Sequence, residues 1–193
     1  YLWVERSLDL PMASLTVMIA GLTGLYLSGG FFREYSSRQR LHGMFGQYVP
    51  SAHIERMMSA KESFSMAGES KELTVLFSDI RSFTTISEQL DAAELKDLLN
   101  FYFTPITEII FRHDGTIDKY VGDMVMAFWG APLDDAHHRQ HALAAALEMI
   151  DATEKMKPVL KAKGLPEINI GIGLNTGSMN VGDMGSQYRK AYT

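Results

Sequence analysis

Between Leu10 and Phe32 the chain carries no charged side chain, and Leu, Ile, Val, Met, Gly and Ala fill most of the interval. About 20 apolar residues wound as a helix span a hydrocarbon core. Residues 10–32 are therefore expected to form a transmembrane helix, with residues 1–9 as its extracytoplasmic juxtamembrane end. A cleaved leader fits less well, because Glu5 and Asp9 stand where a basic region belongs and no small-residue cleavage pattern follows. A buried soluble helix is the competing reading. After the span, polar residues alternate with Leu41, Met44, Phe45, Tyr48, Val49, Ile54, Met57 and Met58. That spacing predicts a helical stalk over 33–58, broken near Pro50 and in contact with a second copy of itself, the alternative being a monomer whose stalk lies on its own folded domain. Residues 59–70 are polar and Ser-rich, a linker.

From residue 71 to residue 193 the periodicity is that of a folded domain. Leu73 to Ser78 reads as a short apolar strand. Thr85 and Glu88 have capping-box spacing, opening helical sequence that runs through Leu90, Leu95, Leu98, Leu99, Tyr102 and Ile106 to about His113. Gly115–Tyr120 and Met124–Trp129 make a hairpin that turns at Gly122 and Asp123. An Ala- and Leu-rich helix runs from about Asp134 to Lys163 and closes at Gly164 and Pro166. Ile168–Asn175 and Ser178–Val181 are expected as a second hairpin, bent at Asn175-Thr176-Gly177. The result is an α+β fold, one mixed sheet with helices covering a face.

Charge and composition narrow the partners. A formal net charge of −5 offers no basic surface for nucleic acid. With no cysteine, disulfides and thiolate metal sites are excluded, as suits a domain facing reducing cytosol. Arg33, Arg38 and Arg40 follow the apolar span whereas Arg6 alone precedes it, which places the carboxyl-terminal part in the cytoplasm. Position 1 is close to the membrane and is not Met, so further sequence is expected upstream.

Two acidic residues carry the chemistry. Asp79 closes the first strand and Asp123 sits in the turn of the Gly115–Trp129 hairpin. Carboxylates at the edges of apolar segments require a compensating charge when partly dry, and a hard divalent cation supplies it. A strand end and a neighbouring turn can bring the two close enough to repel unless cations bridge them, so two divalent ions are expected. Directly after Asp79, Ile80 to Thr85 leads into a helix start whose unpaired amides suit phosphate oxygens. A triphosphate is the expected cargo.

Three blocks taken together, Phe77-Ser78-Asp79-Ile80-Arg81-Ser82-Phe83-Thr84, Asp118-Lys119-Tyr120-Val121-Gly122-Asp123 and Gly171-Ile172-Gly173-Leu174-Asn175-Thr176-Gly177, closely resemble the class III nucleotidyl cyclases. The likeness covers about Leu73 to Thr193, and Phe45-Gly46-Gln47-Tyr48-Val49-Pro50 resembles the coupling stretch of bacterial membrane-bound members. The resemblance implies a ferredoxin-like, palm-type fold. It implies Asp79 and Asp123 as ligands of two Mg²⁺ or Mn²⁺ ions, the Ile80 carbonyl as a further ligand, and Phe83 and Thr84 in the phosphate-cradling turn. Lys119 matches the purine-reading position, where Lys suits adenine N1 and Glu would suit guanine. Thr193 matches its partner, able to accept from the adenine amino group.

The activity so implied is cyclisation of ATP to cyclic AMP and pyrophosphate at sites shared across a homodimer. The setting is the inner (plasma) membrane, with an upstream sensor domain. Guanylate cyclase activity, or a noncatalytic nucleotide-sensing or dimerisation module of the same fold, are the alternatives. The family's transition-state Asn and Arg are expected shortly beyond Thr193. Plainer readings apply elsewhere. His137, His138 and His141 are expected on an exposed helix face with no acidic third ligand near, and strand alternation sends Asp118 to the face opposite Lys119, toward solvent.

Overall fold

Two long strands, β1 (Glu69–Ile80) and β4 (Ile170–Val181), pair antiparallel over all 12 residues of each and form the spine of the molecule. The computed structural model describes residues 16–26, 35, 55, 68–186 and 190–193. The chain divides into two compact units, Tyr1–Met44 and Phe45–Thr193. In the first, residues 16–26 are helical and exposed throughout. The rest of the expected membrane span lies outside the described residues, as does all of the expected stalk except positions 35 and 55. Among the described residues no helix is long and apolar enough to cross a membrane.

In the second unit, β1 leads through α1 (Phe83–Ser87) and α2 (Ala92–Arg112) to the hairpin of β2 (Thr116–Val121) and β3 (Met124–Trp129). From there α3 (His138–Ala162) returns the chain to β4, and a small ribbon of β5 (Asp183–Gly185) and β6 (Lys190–Tyr192) ends it. The main sheet has the order β2-β3-β1-β4. Each helical crossover joins strands that are not neighbours, so every adjacent pair is antiparallel. This is the βαββαβ ferredoxin-like arrangement. The expected α+β class and ferredoxin-like order hold, but the described strands form an antiparallel sheet rather than a mixed one.

Helices α2 and α3 cover one face only. Leu98, Tyr102, Ile106, Ile109 and Ile110 recur at helical spacing on α2 and meet Ala142, Ala145, Ala146, Met149, Met156 and Leu160 of α3. Beneath them lie Leu76 and Ile80 of β1, Ile117 of β2, and Val125, Ala127 and Trp129 of β3. The alternate positions Phe77 and Asp79 stay exposed on the opposite, open face.

Four expectations need correction. Strand β1 starts at Glu69, two residues inside the expected linker. The capping box is at Asp91 and Glu94, not Thr85 and Glu88: the Asp91 carboxylate accepts from the Ala93 and Glu94 amides at 2.8 and 2.9 Å, and the Glu94 side chain accepts from the Asp91 amide at 3.0 Å. The helical sequence thus breaks into α1 and α2. Asp135 accepts from the His137 amide at 2.8 Å, a local turn that delays α3 to His138.

The largest correction concerns Asn175-Thr176-Gly177. Despite its turn-like composition it is the middle of β4, paired with Val75, Thr74 and Leu73. Thr176 and Thr74 share a hydroxyl hydrogen bond of 2.8 Å. The continuous ladder with β1 satisfies backbone groups that a bend would leave unpaired.

Candidate active site

The end of β1 and the β2–β3 turn meet through one hydrogen bond. The backbone N–H of Ile80 donates to Oδ2 of Asp123 over 2.8 Å, so Asp79 and Asp123 belong to one locus. The turn is possible because Gly122 takes φ +63, a left-handed conformation that glycine adopts freely. Pairing of Ser78 with Val125 sets the approach of the two segments. Asp123 is half-buried, whereas Asp79 is exposed, so the partly dry setting expected for both applies to Asp123 alone.

Asp79 faces a cleft of about 280 Å³ lined by Phe77, Arg81, Met124, Gly171, Ile172 and Gly173 among others. Its floor is bare because Gly171 and Gly173 are the cross-strand partners of Asp79 and Phe77. A side chain on residue 171 would occupy the space that the Arg81 guanidinium now fills. The Arg81 amide donates to the Asn169 carbonyl at 2.8 Å, which anchors the turn leading away from Asp79.

That turn passes through Ser82 at φ 58, an uncommon conformation for a residue with a side chain. It enters the five-residue α1, whose first residues are Phe83 and Thr84, and the Ser82 side chain does not cap it. Behind the sheet, Ser78 and Tyr102 share a hydrogen bond of 3.0 Å. Burial pushes the Tyr102 phenol up to about 12; the Ser78 bond pulls it back, while Asp123 and Asp79 push it further up.

Among the described residues no group of three or more His, Cys, Asp or Glu side chains forms a ready cation cage. The donor set still fits a hard cation. Mg²⁺ commonly takes one or two protein carboxylates and completes its shell with water and substrate phosphates. Asp79 carries a carboxylate with no hydrogen bond or ion pair among the described residues, and Asp123 has one oxygen beyond that used by Ile80.

Lys119 lies on the open face in the same row as Met126, Phe77 and Gly173, and its side chain is 48% exposed. Thr193 is held by reciprocal backbone hydrogen bonds with Gly182, both 3.1 Å, beside Tyr192, whose ring packs on Phe128. Asp118 joins the two. Its Oδ2 accepts from the Thr193 hydroxyl at 2.9 Å and lies 3.4 Å from Lys119 Nζ.

The solvent-facing role expected for Asp118 is overturned, since its side chain is fully buried. The cause is a break in register between Ile117 and Lys119, where a bulge leaves Asp118 as the extra residue and cancels simple alternation. Asp118 and Arg81 are residues at this candidate site that motif reasoning did not single out. A charged residue beside Lys119 was the only sequence signal for the first, and the bulge that turns it inward has none.

Two of the three histidines also differ from expectation, His137 being exposed as expected. His138 is buried with Nδ1 2.7 Å from the Thr74 hydroxyl, and His141 Nδ1 is 2.8 Å from Asp135. An acid is thus close to His141.

Residues 66–193 match the adenylate and guanylate cyclase catalytic domain family. Adenylate cyclase 1 of Rhizobium meliloti is 36% identical over 149 residues, covering 77% of this chain and 22% of that protein. Adenylate cyclase of Anabaena cylindrica is 34% identical over 147 residues, covering 73% of this chain and 28% of that protein. The chain thus spans about a quarter of these relatives. Among solved structures, the adenylyl cyclase CyaB from P. aeruginosa is 39% identical with a TM-score of 0.63, covering 65% of this chain and 66% of that one. The guanylyl cyclase Cya2 is 36% identical, also with a TM-score of 0.63, covering 65% and 64%.

Proposed function

This chain belongs to the adenylate and guanylate cyclase catalytic domain family, and from that membership we propose that it is the catalytic part of a membrane-anchored adenylate cyclase, making cyclic AMP and pyrophosphate from ATP. The observation that carries the reading is the Ile80–Asp123 hydrogen bond, which puts Asp79 and Asp123 at one locus beside an open cleft.

In the proposed site Asp79, Asp123 and the Ile80 carbonyl would hold two divalent cations, Mg²⁺ or Mn²⁺. When bound, such ions lower the pKa of a coordinated hydroxyl and neutralise charge on the phosphates. With cations held there, the triphosphate would lie against the turn at Phe83 and Thr84, with Arg81 beside it. The ribose 3′ hydroxyl gives its proton to water and its oxygen bonds the α-phosphorus as the bond to the bridging oxygen of the β-phosphate breaks, and pyrophosphate carries that electron pair away. Positioning and electrostatics account for most of the rate, with no covalent enzyme intermediate.

Fold likeness does not choose the base, since the adenylyl and guanylyl cyclase structures match equally well. Side chains do. Lys119 donates to adenine N1 and Thr193 accepts from the 6-amino group, whereas guanine presents a donor at N1 and an acceptor at position 6. ATP is the substrate that this pair fits.

We assign each site to two subunits of a homodimer, cations on one and purine reader on the other. Phe77 and Val121, 44% and 53% exposed on a sheet face that no described helix covers, support a second copy there. The anchor is the apolar stretch 10–32 in the plasma membrane, with the catalytic domain cytoplasmic and a sensor upstream. The test mixes full-length protein bearing Asp79→Ala with protein bearing Lys119→Ala and assays cyclic AMP. Each alone is expected to be inactive and the mixture partly active. A mixture as inactive as its parts overturns the shared site.

A further inference from the structure

The buried carboxylate of Asp118 has an unusual set of neighbours. One oxygen accepts the Thr193 hydroxyl proton at 2.9 Å and lies 3.4 Å from the Lys119 ammonium. The other oxygen, Oδ1, is buried without a hydrogen-bond partner among the described residues. For stability alone this is a poor arrangement, because a buried charge with an unsatisfied oxygen is destabilising and an apolar residue would serve better. It also sits on a β-bulge, a device that re-aims side chains beside active sites.

A threonine hydroxyl has one proton to give and two lone pairs to offer. Bonded to Asp118, Thr193 has spent its proton and presents only lone pairs. Lys119, drawn to the same carboxylate, is kept as a donor. Together they show one acceptor and one donor side by side.

Resting on the assignment of Lys119 and Thr193 as purine readers, we propose that Asp118 is a positioning residue that sets base choice: by consuming the Thr193 proton it makes that hydroxyl an obligate acceptor, matched to the adenine amino group and closed to the guanine 6-oxo group. Without Asp118 the Thr193 hydroxyl rotates and donates as readily as it accepts. Discrimination then falls, although neither reader has been altered.

The test is competition binding of ATP and GTP to the full-length protein with Mn²⁺, together with turnover of both. In Asp118→Ala the preference for ATP over GTP is expected to fall about tenfold, the worth of one hydrogen bond, chiefly through tighter GTP and weaker ATP binding. Adding Thr193→Val to Asp118→Ala should change the ratio no further, because the residue acts through Thr193. Should Asp118→Ala not fold, Asp118→Asn decides. Its amide can donate to Thr193 and so loosens the polarity, and a smaller fall in the same ratio is expected. An unchanged ratio in a folded variant overturns the role of Asp118 and leaves the adenylate cyclase assignment standing. A wild-type protein that binds neither triphosphate, or prefers GTP, overturns both.

Discussion

Ile80 gives its backbone N–H to the Asp123 carboxylate across 2.8 Å, tying the last residue of β1 to the turn between β2 and β3. Residues 43 positions apart in the chain are thereby fixed as one corner of the cleft. In the proposed site the same side chain would have two tasks, holding the corner and offering charge to a cation, and substitutions separate them. Asp123→Asn keeps an oxygen for Ile80 and loses the charge. It should leave urea unfolding nearly unchanged and lower cyclase turnover by about a hundredfold or more. Asp123→Ala should lose turnover and also about 1 kcal/mol of stability.

The cleft floor gives a second prediction. Gly171 leaves room for the Arg81 guanidinium, and β4 is an edge strand of the sheet. Gly171→Val should displace Arg81 from beside Asp79. Turnover is expected to drop about tenfold or more through misplacement, with the melting temperature little changed. Steady-state kinetics beside a thermal melt check both halves.

Capping supplies a purely structural test. Asp91→Ala removes a side chain that accepts from two amides at the start of α2 and should cost about 1 kcal/mol, read by urea denaturation. Thr85→Ala, at the spacing that imitates a capping box, should change stability by no more than about 0.5 kcal/mol.

Tyr102 predicts a pH dependence. Its phenol is pushed up to about 12 in the fold, mainly by burial, whereas an unfolded tyrosine titrates near about 10. A raised folded value means that the protonated form is favoured in the native state. This contribution is fully present below about pH 10 and is lost as pH rises toward about 12. Tyr102→Phe should flatten the fall in unfolding free energy across that window, as measured by urea titrations at both ends.

Much of this architecture was legible in the chain. The apolar faces of α2 and α3, the β2–β3 hairpin and the nearness of the Asp79 and Asp123 segments followed from periodicity, glycine placement and the position of acids at element ends. Part of what escaped depended on partners distant in sequence. Asn175-Thr176-Gly177 has the composition of a turn, yet the full-length ladder with β1 holds it straight. Thr85 and Glu88 have the right spacing for a cap, but Asp91 and Glu94 form the bonds. Asp118 was assigned to solvent by alternation, and a one-residue bulge reverses that assignment. His138 looked exposed on its helix, while Thr74 of β1 gives it a buried partner. For β4 and His138, local pattern was outweighed by a tertiary contact.

The most direct measurement is conversion of radiolabelled ATP by the full-length protein with Mn²⁺, with products separated by chromatography, for wild type, Asp79→Asn and Asp123→Asn. Cyclic AMP and pyrophosphate in equal amounts from the wild type, and neither from the two folded variants, is the predicted result. Cyclic AMP formed undiminished by either variant would contradict the central role of these aspartates.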